Sequence, residues 1–148
     1  MDLISPISFA PSSLVSIGFD VDSAIKNPGS FRGLNELRNV LEVNRILKKT
    51  KEECAFSCEC RLEVKWEIQS PDDGMKMATA SCVIVGAASA QLPEDEAQQA
   101  DAEKAICANA ISYLWAKCRD WFDVLSSTSA IGRVSLPAIN PYSLLQDE

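Results

Sequence analysis

Six cysteines and no histidine frame the chemistry open to this chain of 148 residues. The thiols are Cys54, Cys58, Cys60, Cys82, Cys107 and Cys118. Cys54, Cys58 and Cys60 occupy alternate positions of one segment, where residues two apart stand about 7 Å apart on a strand, so buried free thiols are the plain reading. Zinc fits them poorly, because the spacing is not CxxC and no imidazole completes a set. Cys118 beside Arg119 and Asp120 is the candidate nucleophile, since a neighbouring guanidinium favours thiolate. Without a histidine to act as general base, the expectation is a chain that catalyses nothing and holds no metal or cofactor.

Bulk charge narrows the partners. A net charge of -7 with acids and bases interspersed argues against a phosphate backbone, which clustered Lys and Arg bind. The segment Met1 to Pro6 lacks the basic and apolar regions of a secretory leader, so structural disulfides are not expected. No run of eighteen apolar residues suggests a membrane span. The expectation is a single domain, residues 1–148, in the cytoplasm.

The elements that must position these residues centre on Cys54 to Gln69. Every even position from 54 to 68 is apolar (Cys54, Phe56, Cys58, Cys60, Leu62, Val64, Trp66, Ile68), while the odd positions are almost all polar or charged. Period two this sustained predicts a strand with one oily face, roughly 50 Å long if straight. Before it come a broken edge-strand signal over 7–21 with Pro6 and Pro11 at its entry, a crossover loop over 23–33, an ambiguous stretch read as a strand over about 38–48, and a charged turn over 48–53. After it, Ser70-Pro71-Asp72-Asp73-Gly74 predicts a hairpin turn. A return strand over 75–85 and a small-residue linker over 86–91 follow.

From Pro93 the period changes to 3.6, and a helix to about Ser126 is predicted. Glu94, Asp95 and Glu96 suit its positive end, with a docking or metal site as the alternative. At 1.5 Å per residue this helix is about 50 Å long, the cover that the oily strand needs. The tail 136–145 is extended where its prolines sit. Together these give an α+β fold, an antiparallel sheet of about four strands covered by one long helix.

That order and the last third of the chain resemble the SecB-type protein-export chaperones. The family's helix carries a pattern close to Leu-Phe-Pro-Tyr-Ala-Arg-Glu, and this chain has Leu114-Trp115-Ala116-Lys117-Cys118-Arg119-Asp120. Farther on, Leu136, Ile139, Asn140 and Leu144 fall in step with the family's extended Leu-Ala-Pro-Val-Asn-Phe segment and the leucine after it. Two departures stand out. Ala116 replaces the helix proline, and Lys76 or neutral neighbours stand where the family carries a carboxylate for the SecA-type translocation motor, which counts against motor docking.

The resemblance implies a chaperone that binds unfolded or precursor polypeptides in an exposed hydrophobic groove, in protein export or beside a toxin-antitoxin pair. It implies a client groove at Phe31, Leu37, Leu41, Val43, Tyr142, Leu144 and Leu145, and a homotetramer, a dimer of dimers, with Met77, Thr79, Ser81, Leu114 and Trp121 at its interfaces. Ordinary core packing is the alternative for each of these residues. A scaffold or adaptor that binds one dedicated folded partner is the alternative function.

Overall fold

A computed structural model describes residues 6–22, 38–70, 75–129 and 133–145. The crossover loop, the tip of the hairpin turn, and with them Phe31 and Leu37, lie outside the described residues. Strands β1 (Ser8–Phe9), β2 (Ser13–Val21), β3 (Arg38–Glu52), β4 (Ala55–Gln69) and β5 (Lys76–Gln91) precede helix α1 (Glu96–Ser127) and a short 3-10 helix, Pro141–Leu145. All pairings are antiparallel. β1 and β2 both pair with β5, one side of a sheet that continues through β4 to β3. Five strands replace the expected four because the edge strand is broken where Pro11 sits.

Alternation in β4 does what period two dictates. Phe56, Cys58, Cys60, Leu62, Val64, Trp66 and Ile68 are all buried, while the odd positions face the other way and are half-buried or exposed. Ala78, Ala80, Cys82, Ile84 and Ala88 of β5 are buried beside them. Helix α1 closes this face with Ile106, Cys107, Ile111, Leu114, Cys118 and Phe122. The helix runs parallel to β4, as two contacts show: Cys58 hydrogen-bonds Cys107, and the Trp66 ring meets that of Phe122 at 5.6 Å. Between them lie roughly 26 Å of strand and 23 Å of helix at about 3.3 and 1.5 Å per residue, so strand and helix keep pace.

Three boundaries differ from the sequence reading, each for a physical reason. The charged stretch 48–52 is strand, not turn, because Lys48 pairs across from Glu59 and the register continues to Glu52 opposite Ala55. The reversal is confined to Glu53 and Cys54, with Glu53 in the left-handed region at φ 55°. The small-residue linker 86–91 is the end of β5, paired with 55–60. Small side chains are needed there because the helix lies close: a Cβ on Gly86 would stand 2.8 Å from Leu114 Cδ2. The helix begins at Glu96, with Asp95 as its cap accepting from the Ala97 amide at 3.0 Å. The acidic run thus contains the cap.

Candidate functional site

A helix with its side chains is about 10 Å across, and neighbouring strands are about 4.8 Å apart, so one helix covers about two strands. Here it covers β4 and β5. The flanking strands therefore keep their helix-facing sides partly open, and two strips result.

The first strip lies on β3. Leu41, Val43, Arg45 and Leu47 stand opposite Trp66, Val64, Leu62 and Cys60 of β4, so they share the oily face, yet all four remain half-buried. The chain beyond α1 forms the other wall. Leu136 is fully buried, and the segment is pinned along the helix by hydrogen bonds from Trp115 Nε1 to the Pro137 carbonyl (2.9 Å) and from the Val134 amide to Ser126 Oγ (3.0 Å). Asp123 holds the same segment, accepting from Ser135 Oγ at 2.8 Å and from Arg133 Nη2 at 3.1 Å. Burial pushes the Asp123 carboxyl upward, but those two hydrogen bonds, with the Arg133 and Arg119 charges, outweigh it and hold the group below its ordinary range.

Asn140 then starts the 3-10 helix, its side chain accepting from the Tyr142 amide at 3.1 Å. That helix is tied to the sheet by Arg45, whose Nε donates to the Leu144 carbonyl at 2.6 Å. Arg45 Nη2 is buried with no hydrogen-bond partner among the described residues. Leu144 and Leu145 are half-buried against the core, and Tyr142 is exposed. At one end of the strip Trp66 Nε1 donates to Asn39 Oδ1 at 2.8 Å. At the other, Lys51 bonds Gln99 at 2.8 Å and pairs with Glu103 at 3.5 Å.

The second strip lies on β2, where Leu14, Ile17, Phe19 and Val21 face the helix side and are half-buried. Tyr113, Lys117, Trp121 and Val124 recur at helical spacing on one flank of α1. Tyr113 meets Phe9 at 4.8 Å, which places that flank over the β1 and β2 side. Trp121 and Val124 are exposed there at 42% and 61%. The opposite face of the sheet mixes cross-strand charges, Glu42 opposite Lys65 and Lys48 opposite Glu59, with the exposed side chains of Val40 and Ile46. Three shallow concavities of 400 to 480 Å³ open onto that face, away from both strips.

The sequence-derived candidates divide accordingly. Leu41, Val43, Leu144 and Leu145 are half-buried on the β3 side, and Tyr142 is exposed on the 3-10 helix. Met77 and Leu114 are in the chain's own core, at 3% and 0% exposure, closed to a second copy. A bulge turns Met77 inward: Ile68 pairs with Ala78 but Gln69 pairs with Lys76, which leaves Met77 between them. Thr79 is half-buried and Ser81 exposed, both on the charged face, while Trp121 stands on the β2 flank. Arg45 was missed as a site residue. Its signal was a charge between Val43 and Leu47 at apolar positions of the alternation.

Cys118 is not an activated nucleophile. It is fully buried, its thiol donates to Cys82 Sγ at 3.1 Å, and that bond together with burial pushes it up. The Cys58 thiol is raised by its hydrogen bond with Cys107 and by burial, and Cys60 is pushed up to about 12, chiefly by burial. Among the described residues no cluster of three or more His, Cys, Asp or Glu could hold a metal ion, and no helix is long and apolar enough to cross a membrane.

No protein-family model matches the sequence, and no curated protein matches it. Solved structures do match. A SecB-like chaperone of Mycobacterium tuberculosis, in complex with a ChAD peptide from an antitoxin, is similar with a TM-score of 0.57 and 18% identity over 90% of each chain. A protein of unknown function from Streptococcus agalactiae is similar with a TM-score of 0.53 and 12% identity, over 91% of this chain and 98% of that one. The chain has a SecB-like fold.

Proposed function

We propose that this chain is a molecular chaperone that catalyses no reaction and holds unfolded or precursor polypeptides by their apolar side chains in the strip between β3 and the 3-10 helix. The observation that carries the proposal is Leu41, Val43 and Leu47, left half-buried on the core side of the sheet beside Leu144 and Leu145. Burying about 500 Å² of apolar client surface there yields about 12 kcal/mol gross. Ordering a flexible segment and losing its free tumbling cost most of that, so holding is transient. The neighbour's bound antitoxin peptide supports a peptide segment as ligand. It also favours a toxin-antitoxin pair over the SecA-type motor as the setting. In this reading the protein is cytoplasmic and forms a homotetramer, with the β2 strip and the Trp121 flank covered by a second copy.

Aggregation of several unrelated unfolded proteins, followed by light scattering with and without equimolar protein, tests the reading. The wild type is expected to suppress aggregation, and Val43→Glu to lose that protection while keeping its unfolding midpoint within a few degrees. Suppression of none by the wild type overturns the general chaperone and leaves the adaptor for one folded partner. A monomer at micromolar concentration overturns the assembly.

A further inference from the structure

We propose that Cys82 and Cys118 are a redox-active dithiol, oxidised by a peroxide to a disulfide that staples helix α1 to strand β5. The two sulfurs are 3.1 Å apart, on the element that roofs the core and on a strand of the sheet beneath it. They are 36 positions apart in the chain. No other pairing of Cys82 competes on the sheet, since its antiparallel partners are Val64 and Ile17.

The pair is electrostatically asymmetric in the sense that oxidation requires. The hydrogen bond from the Cys118 thiol lowers Cys82 despite burial, whereas Cys118 is raised, so the first proton leaves Cys82. The Cys82 thiolate attacks one peroxide oxygen, the O–O bond breaks, and the departing hydroxide takes a proton and leaves as water. Cys82 is then a sulfenic acid. Cys118 sulfur attacks Cys82 sulfur, the S–S bond forms, the S–O bond breaks, and the hydroxyl leaves with the Cys118 proton as a second water. Two thiols thus give two electrons to one peroxide. Both thiols are fully buried, so the oxidant is small and enters when α1 lifts locally from the sheet. The product closes that motion.

Hydrogen peroxide on the intact wild-type chain, followed by alkylation of the remaining thiols in denaturant and tryptic mapping, tests this. Cleavage after Lys76, Lys104, Lys117 and Arg119 puts Cys82 alone in peptide 77–104 and Cys118 alone in peptide 118–119. The expected result is a crosslink between those two peptides that dithiothreitol reverses, with an unfolding midpoint raised by on the order of 10 °C over the reduced form. Recovery of both cysteines alkylated, or of Cys82 joined to Cys58, Cys60 or Cys107, overturns the proposal. Cys118→Ser is expected to abolish the rise in midpoint. A rise that persists in the variant assigns it to another pair and overturns the proposal as well, and the wild-type map stands independently of the variant's folding.

Discussion

Arg45→Met isolates the side chain that, among the described residues, hydrogen-bonds the C-terminal 3-10 helix to the sheet. Methionine keeps an unbranched apolar stem against Val43 and Leu47 and deletes the guanidinium. The lost bond runs from a cation to a carbonyl at 2.6 Å, a class worth about 1.5–3 kcal/mol. Two features reduce the global cost. Leu144 is half-buried, so water reaches its freed carbonyl once the segment lifts, and removal of the buried, unpartnered Nη2 relieves a desolvation penalty. The loss therefore falls on local opening of residues 141–145 rather than on unfolding of the sheet. Taking about 2 kcal/mol, the open population rises about 30-fold. Amide hydrogen exchange reads it directly, because the Ser143 amide donates to the Asn140 carbonyl at 3.0 Å only while the short helix is formed. Exchange at Ser143 should accelerate about 30-fold, while β4 amides keep their rates and the urea midpoint moves little. Unchanged exchange at Ser143 would show that Arg45 is not the anchor. A fall in the midpoint equal to the whole 2 kcal/mol would show that it serves the global fold instead.

Two further outcomes follow from contacts elsewhere. Gly86→Ala forces a Cβ to within 2.8 Å of Leu114 Cδ2, and Leu114 is fully buried, so about 1–3 kcal/mol should be lost in urea unfolding; in Gly86→Ala with Leu114→Ala the losses should sum to less than the two singles. Asp123 has a folded pKa below its unfolded value of 3.8, so the stability it contributes is complete above that value and disappears as pH falls through the folded value. Asp123→Asn should be less stable than the wild type at neutral pH, with the gap closing below about pH 4 in acid titrations of the urea midpoint.

The sequence made β4 and α1 plain because each carries one period over many residues, and a face that must be buried leaves a repeating mark. It marked β3 weakly, since a strand covered only along part of one face needs fewer apolar residues: Leu41, Val43 and Leu47 alternate, but Arg45 interrupts them, and Leu34, Leu37 and Leu41 just before recur at helical spacing. The end of β5 was hidden for the opposite reason. Gly86 is small because α1 presses close, Ala88 and Ala90 share its face, and small residues read as linker when the helix that excludes larger ones is not in view. Met77 was placed on the wrong face by counting in twos through a bulge that adds one residue. Neither the Arg45 anchor nor the contact of Cys82 with Cys118 has a local signature. Each joins residues 36 or more positions apart, and only the register of helix on sheet brings them together.

The two strips arise from one geometric fact, a single helix on a sheet twice its width, but their chemistry differs in a way that argues for different occupants. On β2 the helix-facing positions Leu14, Ile17, Phe19 and Val21 are uniformly apolar, and the flank above them adds Trp121 and Val124. A surface depleted of charge and rich in aromatics loses most when exposed to water and gains most from a permanent cover. On β3 the corresponding row reads Asn39, Leu41, Val43, Arg45, Leu47, Lys49 and Lys51, apolar in the middle with polar groups at both ends and one cation in the centre. Its roof is a five-residue 3-10 helix, a length at which helical hydrogen bonding alone holds nothing in place. Such a strip gains less from a permanent lid and more from one that can be exchanged for another stretch of chain to whose carbonyls Arg45 donates and whose side chains the leucines cover. Under the proposed function, stable assembly would belong to the β2 side and reversible capture to the β3 side, and mutations at Trp121 and at Val43 should separate the two: dilution-dependent dissociation from the first with clients still held, loss of clients from the second with the assembly intact.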